Sequence, residues 1–376
     1  MTRPVILITD SLSRQRGGAE IYLANLAEFI AQHGRPVHAL VRRACPAFSA
    51  AGVRLETVPA GGSGLCREKN FAREIQKRLQ GKNAVVLSTI ALPGVTHYQP
   101  HMGVQRRSIL ASRDSRDSEI SRWLHRIGSG FNFKRRWLLQ AQSRLLARES
   151  ATQVMVFSQR VRDQMVADFG LSPARIVTVP HGVDLNRFHP AENPARRRAE
   201  KLTLLFVAHN FRLKGLQCLL AALARAVPKG LVAELLVVGH GQRAAFEKMA
   251  AQLGLAAHVR FLGAVDEAGT AQLYRDSDVL VHPTFADHCS LVVLEALASG
   301  LPVITTRQNG AGEFIESGKS GFILNHPREI EALADALLRL QDRTKRTEMS
   351  AAAAALRPQL DFNHHAQQVL AWLNRQ

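Results

Sequence analysis

The chain of 376 residues is too long for one ordinary hydrophobic core and predicts two domains of similar size. With 46% hydrophobic and 21% charged residues, its composition is that of a folded protein and excludes a largely disordered chain. The formal net charge of +18 implies attraction to phosphate-rich partners such as nucleic acid, anionic lipid or phosphorylated glycans.

The beginning of the chain predicts a cytoplasmic protein. Its apolar run Val5–Ile8 is too short for a signal peptide, and no stretch approaches the length that a membrane-spanning helix needs. The cysteines show no paired spacing, so we expect reduced thiols and neither a disulfide framework nor a zinc site. They are Cys45, Cys66, Cys218 and Cys289.

The first half of the chain alternates strands with helices. Strands are predicted at 4–10, 37–41, 53–59, 84–90, 153–158 and 175–180, and helices at 19–33 and 68–79. Apolar strands that alternate with helices form a parallel sheet covered on both faces. Residues 1–190 therefore predict a doubly wound, Rossmann-like α/β domain.

The same pattern restarts after a polar segment that contains Pro190 and Pro194. Strands are predicted at 202–208, 233–239, 259–263, 278–283, 302–306 and 321–324. We expect a second Rossmann-like domain over 200–358 and a last helix, within 359–376, that crosses back to the first domain. Two such domains leave an interdomain cleft at the carboxyl ends of their sheets, where ligands of these folds bind.

Positive charge is concentrated in residues 105–149, which contain eleven basic and four acidic residues. Aromatic residues are interleaved with these charges, namely Trp123, Phe131, Phe133 and Trp137. Such a mixture suits the boundary between lipid headgroups and acyl chains, so the segment predicts contact with an anionic membrane surface. The alternative is a pair of solvated helices whose aromatic residues pack inward.

Two loops that follow predicted strands carry residues suited to a phosphorylated ligand. Gly17 and Gly18 precede the first helix and would let the backbone approach a ligand closely, although glycine pairs are common in loops. Arg212 and Lys214 follow the first strand of the second domain and would supply cations for a diphosphate. The alternative is a solvated pair at a helix start, where cations oppose the helix dipole.

The run 285–303 predicts a helix that begins after Ser290. The unpaired amides of Leu291 and Val292 at its start would attract an anion. Glu295 lies one turn, about 6 Å, further along, and a carboxylate there can accept hydrogen bonds from two ribose hydroxyls. The alternative is an amphipathic helix whose Glu295 is merely solvated.

Two histidines, His97 and His101, lie in the loop that is predicted after the strand ending at Ile90. A histidine there can donate a hydrogen bond to a sugar hydroxyl or orient an acceptor. Because the chain has 15 histidines, a surface position without function is the alternative for each.

With these segments in place, the chain resembles the retaining glycosyltransferases of family 4, which have the GT-B architecture. The resemblance covers nearly the whole length. It rests on the Gly17 and Gly18 loop, on residues 176–190, on residues 212–215 and on the run 285–303.

The resemblance implies roles for individual residues. The family usually has two glutamates separated by seven residues in the last run, where this chain has Asp287 and Glu295. Glu295 would hold the nucleotide ribose, while Asp287 and the turn Cys289–Leu291 would face the donor sugar. His101 matches the family's histidine near the donor sugar, with His97 as the second choice.

In this fold the nucleotide base is contacted largely through backbone, here around Gly263 and Val265. Arg212, Lys214 and helix amides would replace a metal ion at the diphosphate, so no metal and no cofactor are expected. In such a transfer the acceptor hydroxyl attacks from the leaving-group side, and the departing phosphate oxygen accepts its proton.

The resemblance also implies partners: a nucleoside-diphosphate sugar such as a UDP-sugar, and an envelope glycolipid or glycan acceptor bound by the first domain. Residues 105–149 resemble the membrane-facing part of lipopolysaccharide core glucosyltransferases, which places the protein on the inner face of the cytoplasmic membrane. One alternative is a sugar-nucleotide epimerase with the same two-domain fold. Another is a nucleic-acid-binding protein, but no recognisable motif predicts a specific nucleic-acid partner.

Overall fold

The computed structural model describes residues 3–14, 17–43, 48–101, 103–116, 132–192 and 201–375. The chain divides into two compact units. The first comprises Met1–Ile109, Glu119–Val179 and Ala366–Gln376, and the second comprises Leu110–Ser118 and Pro180–His365.

The second unit begins at Pro180 rather than after residue 190. The reason is that the chain just beyond Pro180 is tied to the end of the same unit. Val183 pairs with Asp361 in an isolated parallel bridge, and the Arg357 guanidinium donates to the carbonyl of Phe188 at 2.7 Å. Local sequence patterns do not reveal such pairings, because the paired residues are far apart along the chain.

In its described residues the first unit contains a seven-stranded parallel sheet with the strand order β3-β2-β1-β4-β5-β6-β7. The strands are β1 (Val5–Thr9), β2 (Val37–Val41), β3 (Val53–Thr57), β4 (Val85–Ser88), β5 (His97–Tyr98), β6 (Gln153–Val156) and β7 (Ile176–Thr178). The helices along this part of the chain are α1 (Gly18–Gln32), α2 (Gly64–Leu79), α3 (Gln105–Asp114), α4 (Phe133–Leu145) and α5 (Gln159–Phe169).

The central strands form because they are largely apolar and lie between helices on both faces. Every residue of β1 and of β4 is buried. Ile8, Val86 and Val154, from β1, β4 and β6, pack in one hydrophobic core with Phe71 and Ile75 of α2. Of the seven strands in this sheet, the sequence predicted all except β5.

The prediction that His97 lies in a loop is wrong, because His97 and Tyr98 form β5 and pair with β4 and β6. A strand of two residues is too short to give a periodic signal. His101 does lie in the turn after this strand.

The described part of the second unit contains a six-stranded parallel sheet with the order β10-β9-β8-β11-β12-β13. The strands are β8 (Leu202–Val207), β9 (Ala233–Val238), β10 (Val259–Gly263), β11 (Val279–His282), β12 (Val303–Thr306) and β13 (Gly321–Leu324). The helices along this part of the chain are α6 (Leu216–Ala226), α7 (Arg243–Gln252), α8 (Glu267–Asp276), α9 (Leu291–Ala298), α10 (Ile330–Gln341) and α11 (Arg343–Ala354). They are followed by α12 (Phe362–Leu373), which belongs to the first unit from Ala366 onward.

Helix α9 begins after Ser290 as the sequence predicted. It ends where Gly300 takes a left-handed conformation with φ of 69°. The core of this unit joins Phe206 of β8 and Val281 of β11 to Leu219 of α6. The two sheets and their helices therefore form separate hydrophobic cores.

The basic segment is described only in part, at 105–116 and from 132 onward, so the predictions for Trp123 and Phe131 lie outside the described residues. In α4 the Phe133 side chain is 64% exposed, with the Arg136 guanidinium 6.0 Å from its ring. Trp137 is instead half-buried and packs against the first unit's core. One aromatic of this helix thus faces solvent and the other faces inward.

Candidate functional site

The strand order of the second unit reverses between β8 and β11, which lie side by side although three helices and two strands separate them in the sequence. In doubly wound sheets, ligands bind in the crevice at the carboxyl ends of the strands at such a switch point. The loop after β11 lies directly against the loop after β8, since the Phe285 amide donates to the Leu213 carbonyl at 2.9 Å.

The close approach of these loops requires a glycine at position 215. Gly215 has φ of 83°, and a Cβ atom there would overlap the carbonyl oxygen of Pro283. This glycine immediately precedes α6 and follows Lys214, so it fixes where the lysine side chain leaves the backbone.

Lys214 and Asp287, which the sequence placed in separate predicted roles, are brought together here. The Lys214 ammonium forms an ion pair with Oδ2 of Asp287 and lies 3.4 Å from the carbonyl oxygen of Ala286. The two side chains are 21% and 16% exposed, so both remain accessible to a ligand. Arg212 lies in the same turn as Lys214 and is half-buried.

A third residue, His282, belongs to this cluster and was missed by the sequence analysis. Its Nε2 lies 3.6 Å from Oδ2 of Asp287, and its side chain is only 1% exposed. As the last residue of an apolar strand, His282 gave no sequence signal of a polar contact. We refer to Lys214, His282 and Asp287 as the carboxylate cluster.

The charges of the carboxylate cluster determine its ionisation. Burial by itself raises the pKa of Asp287, but the charge of Lys214 and the nearby His282 outweigh it and hold that pKa well below its usual range. Burial also lowers the pKa of His282, and the positive charge of Lys214 adds to this effect against the opposing influence of Asp287. At neutral pH Asp287 is therefore a carboxylate and His282 a neutral imidazole.

The N-terminus of α9 lies directly after this cluster. Ser290 precedes the helix without capping it through its side chain, and its amide donates to Oδ1 of Asn309 at 3.2 Å. Leu291 and Val292, whose amides the sequence assigned to an anion, form the first turn and are half-buried. A helix start without a side-chain cap leaves its first amides available to an anion.

Glu295 lies one turn into α9 and accepts a hydrogen bond from the Tyr274 hydroxyl at 2.8 Å on Oε2. Burial raises the pKa of Glu295 to about 7, the bond from Tyr274 lowers it, and the charge of Glu267 raises it. Tyr274 is fully buried in α8 and was not predicted as a site residue. In a sequence, a buried aromatic residue has the pattern of a core residue, and this pattern does not show which group its hydroxyl contacts. The structure thus supports the position of Glu295 and adds a partner that orients it.

The two residues that were assigned to the nucleotide base lie at the same edge of the sheet. Gly263 ends β10 with φ of 76°, and its carbonyl accepts from the amide of Gly239, which follows β9, at 2.7 Å. Val265 comes two residues later and is half-buried. Both therefore lie at the carboxyl end of β10, the edge strand that pairs with β9.

In the first unit, Gly17 precedes α1 with φ of 34°, and Gly18 is the first residue of that helix. A Cβ atom on Gly17 would lie 2.8 Å from the carboxylate of Glu20. The two residues before Gly17, including Arg16, lie outside the described residues. The glycine pair thus begins a helix at the carboxyl end of β1, as predicted.

His101 is oriented by two buried residues. The amide nitrogen of Gln99 lies 2.7 Å from the Tyr22 hydroxyl, and the amide oxygen of Gln99 lies 3.1 Å from Nε2 of His101. Since the amide oxygen can only accept, Nε2 of His101 carries the proton and donates. His101 also packs edge-to-face on Phe157 at 5.6 Å between ring centroids.

His97, the second choice, is placed differently. It is 5% exposed, its ring contacts that of Trp372 edge-on at 4.7 Å, and burial lowers its pKa to about 4. His97 thus packs within the first unit, and of the two histidines the structure favours His101 as the one that can reach a ligand.

The described residues contain no group of three or more His, Cys, Asp or Glu side chains arranged to hold a metal ion. None of the helices in the described ranges is long and apolar enough to cross a bilayer. Cys66, Cys218 and Cys289 carry free thiols, as predicted, while Cys45 lies outside the described residues.

Two doubly wound parallel units, with polar loops collected at a switch point, define the GT-B class of glycosyltransferases. Solved structures share this fold. The chain superposes on WaaG, a glycosyltransferase involved in lipopolysaccharide biosynthesis, with a TM-score of 0.81 at 20% identity over 99% of this chain and 100% of that one. It superposes on HepE from Anabaena in complex with UDP-glucose with a TM-score of 0.70 at 18% identity, over 99% of both chains.

Family models match both units. Residues 16–187 match the model of Glycosyltransferase Family 4, and residues 201–343 match the model of group 1 glycosyl transferases. The chain thus contains a glycosyltransferase family 4 domain followed by a group 1 glycosyl transferase domain. Neither matched model describes an epimerase or a nucleic-acid-binding protein.

Curated relatives are similar over part of their length. A D-inositol 3-phosphate glycosyltransferase from Catenulispora acidiphila is 31% identical over 215 residues, which is 52% of this chain and 50% of the relative. A phosphatidyl-myo-inositol mannosyltransferase from Mycobacterium tuberculosis is 32% identical over 201 residues, 52% of each chain. The chain therefore spans about half the length of the curated relatives it matches.

Proposed function

We propose that the protein transfers a hexosyl group from a nucleoside-diphosphate sugar to a glycolipid or glycan acceptor, and that the second unit binds the donor. The observation that carries this proposal is the meeting of Lys214 and Asp287 beside the uncapped start of α9, with Glu295 one turn further along. Along the chain the helix amides lie between the two carboxylates, as the diphosphate of a nucleotide sugar lies between its sugar and its ribose.

Each donor group then has a chemical partner. Arg212, Lys214 and the amides of Leu291 and Val292 neutralise the diphosphate, most strongly as it gains charge on leaving. Glu295 accepts hydrogen bonds from the ribose hydroxyls. Backbone around Gly263 and Val265 contacts the base, and Asp287 accepts a hydrogen bond from a hydroxyl of the sugar.

The transfer itself proceeds with retention in this proposal. The acceptor oxygen bonds to the anomeric carbon as the bond from that carbon to the phosphate oxygen breaks, and the departing phosphate oxygen takes the acceptor's proton. Nδ1 of His101 accepts a hydrogen bond from a sugar hydroxyl, because Nε2 of the same ring donates to Gln99. With Lys214 and helix amides on the diphosphate, the reaction requires neither a protein nucleophile nor a metal ion.

The acceptor we propose is an envelope glycolipid, lipopolysaccharide core or a related glycan, reached from the inner face of the cytoplasmic membrane. The exposed Phe133 and the basic residues around it in α4 support a membrane-facing role for residues 105–149. The names of the curated relatives favour a second candidate, an inositol-containing acceptor.

The test begins with a panel of nucleotide sugars screened for thermal stabilisation of the protein, because a ligand that binds only the folded state raises the melting temperature. The best donor is then incubated with bacterial glycolipid extracts and with inositol phosphate or phosphatidylinositol, in EDTA and with added Mg²⁺. We expect a glycolipid product of retained anomeric configuration by NMR, formed equally in EDTA. A protein that binds no nucleotide sugar contradicts the proposed function, and an inverted product contradicts the proposed mechanism.

A further inference from the structure

His282 is buried at the end of β11 with its ring stacked on Phe206, at 6.1 Å between centroids and 26° between planes. Neither ring nitrogen has a hydrogen-bond partner among the described residues. Its backbone is fixed, since the His282 carbonyl accepts from the Thr305 hydroxyl at 2.8 Å. Buried polar atoms are usually satisfied, so a rigidly held, unpartnered imidazole requires an explanation.

The nearest candidate partner is the Asp287 carboxylate. Nε2 of His282 lies 3.6 Å from Oδ2, slightly too far for a hydrogen bond, and the same oxygen is bonded to Lys214. Within the part of the chain that the structure describes, Lys214 is the only side chain in hydrogen-bond contact with this carboxylate. Oδ2 therefore lies between two donors and is bonded to one of them.

A bound donor would change this balance. A diphosphate presents more negative charge than a single carboxylate, so it competes for the Lys214 ammonium. Once the lysine turns to the diphosphate, Asp287 would be a largely buried carboxylate without a charged partner, which is unfavourable unless another donor replaces the lysine. The Nε2 of His282 needs a shift of less than 1 Å to reach hydrogen-bond distance from the 3.6 Å separation.

We propose that His282 is a positioning residue. When the donor's diphosphate draws Lys214 away, Nε2 of His282 donates a hydrogen bond to the Asp287 carboxylate in place of the lysine, and this bond holds the carboxylate against the donor sugar. This inference rests on the proposed function. It requires a neutral imidazole with its proton on Nε2, which agrees with the lowering of the His282 pKa by burial. Oδ1 of Asp287 is then left to accept from a sugar hydroxyl.

Two variants separate the hydrogen bond from the packing of the ring. His282→Phe keeps an aromatic ring against Phe206 but removes the donor, and His282→Gln places an amide N–H near the position of Nε2. His258→Phe is the matched control, because His258 lies at the opposite, amino end of the same sheet. Calorimetry measures the binding of UDP, UDP-glucose, GDP and GDP-mannose to each protein.

We expect His282→Phe to weaken binding of the accepted sugar nucleotide by about tenfold, the usual size of a lost hydrogen bond to a charged group. Binding of the corresponding nucleoside diphosphate should weaken by a smaller factor, because its diphosphate also draws Lys214 away from Asp287 but no sugar hydroxyl then bonds to Oδ1. His282→Gln should restore most of the affinity, and His258→Phe should leave it unchanged. In an Asp287→Asn background, His282→Phe should have no further effect.

Three results would overturn the inference. Equal affinity of wild type and His282→Phe for the sugar nucleotide excludes any role for the donor N–H. Equal losses for the sugar nucleotide and its nucleoside diphosphate indicate a purely structural role. A wild-type protein that binds none of the nucleotides defeats the proposed function itself.

A spectroscopic measurement tests the tautomer without any ligand. In long-range ¹H–¹⁵N spectra of the wild type, the His282 signals are those lost in His282→Gln, and they should show a neutral ring protonated on Nε2. The same assignment holds if His282→Phe is too unstable for calorimetry. A proton on Nδ1 would overturn the inference.

Discussion

The ribose-binding role that we propose for Glu295 requires a charged carboxylate, whereas the burial of this residue disfavours the charge. With a pKa of about 7, it is mostly ionised at pH 8 and mostly protonated at pH 6. A protonated carboxyl is a poorer acceptor for two ribose hydroxyls, so affinity for the donor should fall about tenfold between pH 8 and pH 6. Calorimetry with UDP-glucose, whose diphosphate does not titrate in this range, measures the effect.

Glu295→Ala should abolish donor binding and leave the fold intact, and Glu295→Gln should bind weakly without the pH dependence. Unchanged affinity of either variant would remove Glu295 from the ribose site.

The same carboxyl group should cost stability at high pH. Its folded pKa of about 7 exceeds its ordinary value of 4.5, so between these values the folded protein holds a proton that the unfolded chain has lost. The free energy of unfolding therefore falls as the pH rises through this window. Glu295→Gln should raise the melting temperature at pH 8 by a few degrees and change it little at pH 4.5. A variant that is destabilised equally at both values would contradict this.

Lys214 should matter more for turnover than for donor affinity, because the diphosphate gains charge as it leaves. Lys214→Ala should lower kcat by about 10² to 10³ while KM for the donor rises only a few-fold. Lys229→Ala, which removes an exposed lysine paired with Glu331, is the control and should leave both constants unchanged. Steady-state kinetics with the accepted donor decide the matter, and equal changes in kcat and KM would count against this role.

At the scale of the elements, the site depends on two loops that approach closely through Gly215. Gly215→Ala places a methyl group against the carbonyl of Pro283 and also strains a left-handed backbone. Gly230→Ala is a matched control, because Gly230 has a similar φ of 97° but nothing within 4 Å of the added Cβ. The control should lose about 1 to 2 kcal/mol of stability, and Gly215→Ala clearly more.

Thermal unfolding followed by circular dichroism measures both glycine variants, and nucleotide binding should survive only in the control. Similar losses of stability in both variants would show that the loop after β11 can move to accommodate the added methyl group.

The elements also show how far a sequence can predict this protein. Most strands of both sheets are rich in apolar residues, and α9 has a clear start and stop, so these elements and the Asp287 and Glu295 spacing could be recognised. The partners of those two residues could not. Tyr274 and His282 look like core residues, and only the packing of distant segments determines what their polar atoms contact.

At the scale of the whole molecule, the net charge of +18 should produce binding to anionic membranes through α4. Removing both charges in an Arg135→Ala, Arg136→Ala variant should weaken binding to vesicles rich in phosphatidylglycerol by about tenfold or more, at about 1 kcal/mol per charge. Phe133→Ala should weaken it further through lost apolar contact. Vesicle flotation measures the bound fraction.

The matched control for charge removal is Arg225→Ala with Lys229→Ala, an exposed basic pair of the second unit that is held by Glu331. Flotation that depends equally on both pairs would indicate unspecific attraction by net charge. Wild-type protein that stays unbound at physiological salt would contradict the membrane role.

The first unit includes Ala366–Gln376, which the ribosome synthesises after the whole of the second unit. Within this last stretch Trp372 is buried against His97, and Asn374 accepts a hydrogen bond from Arg35 at 2.7 Å. During translation the earlier part of the first unit stays incomplete, with an apolar surface exposed, until these last residues are synthesised. The second unit can complete its own fold before then. The part of the chain that is synthesised first is therefore the part that completes its fold last.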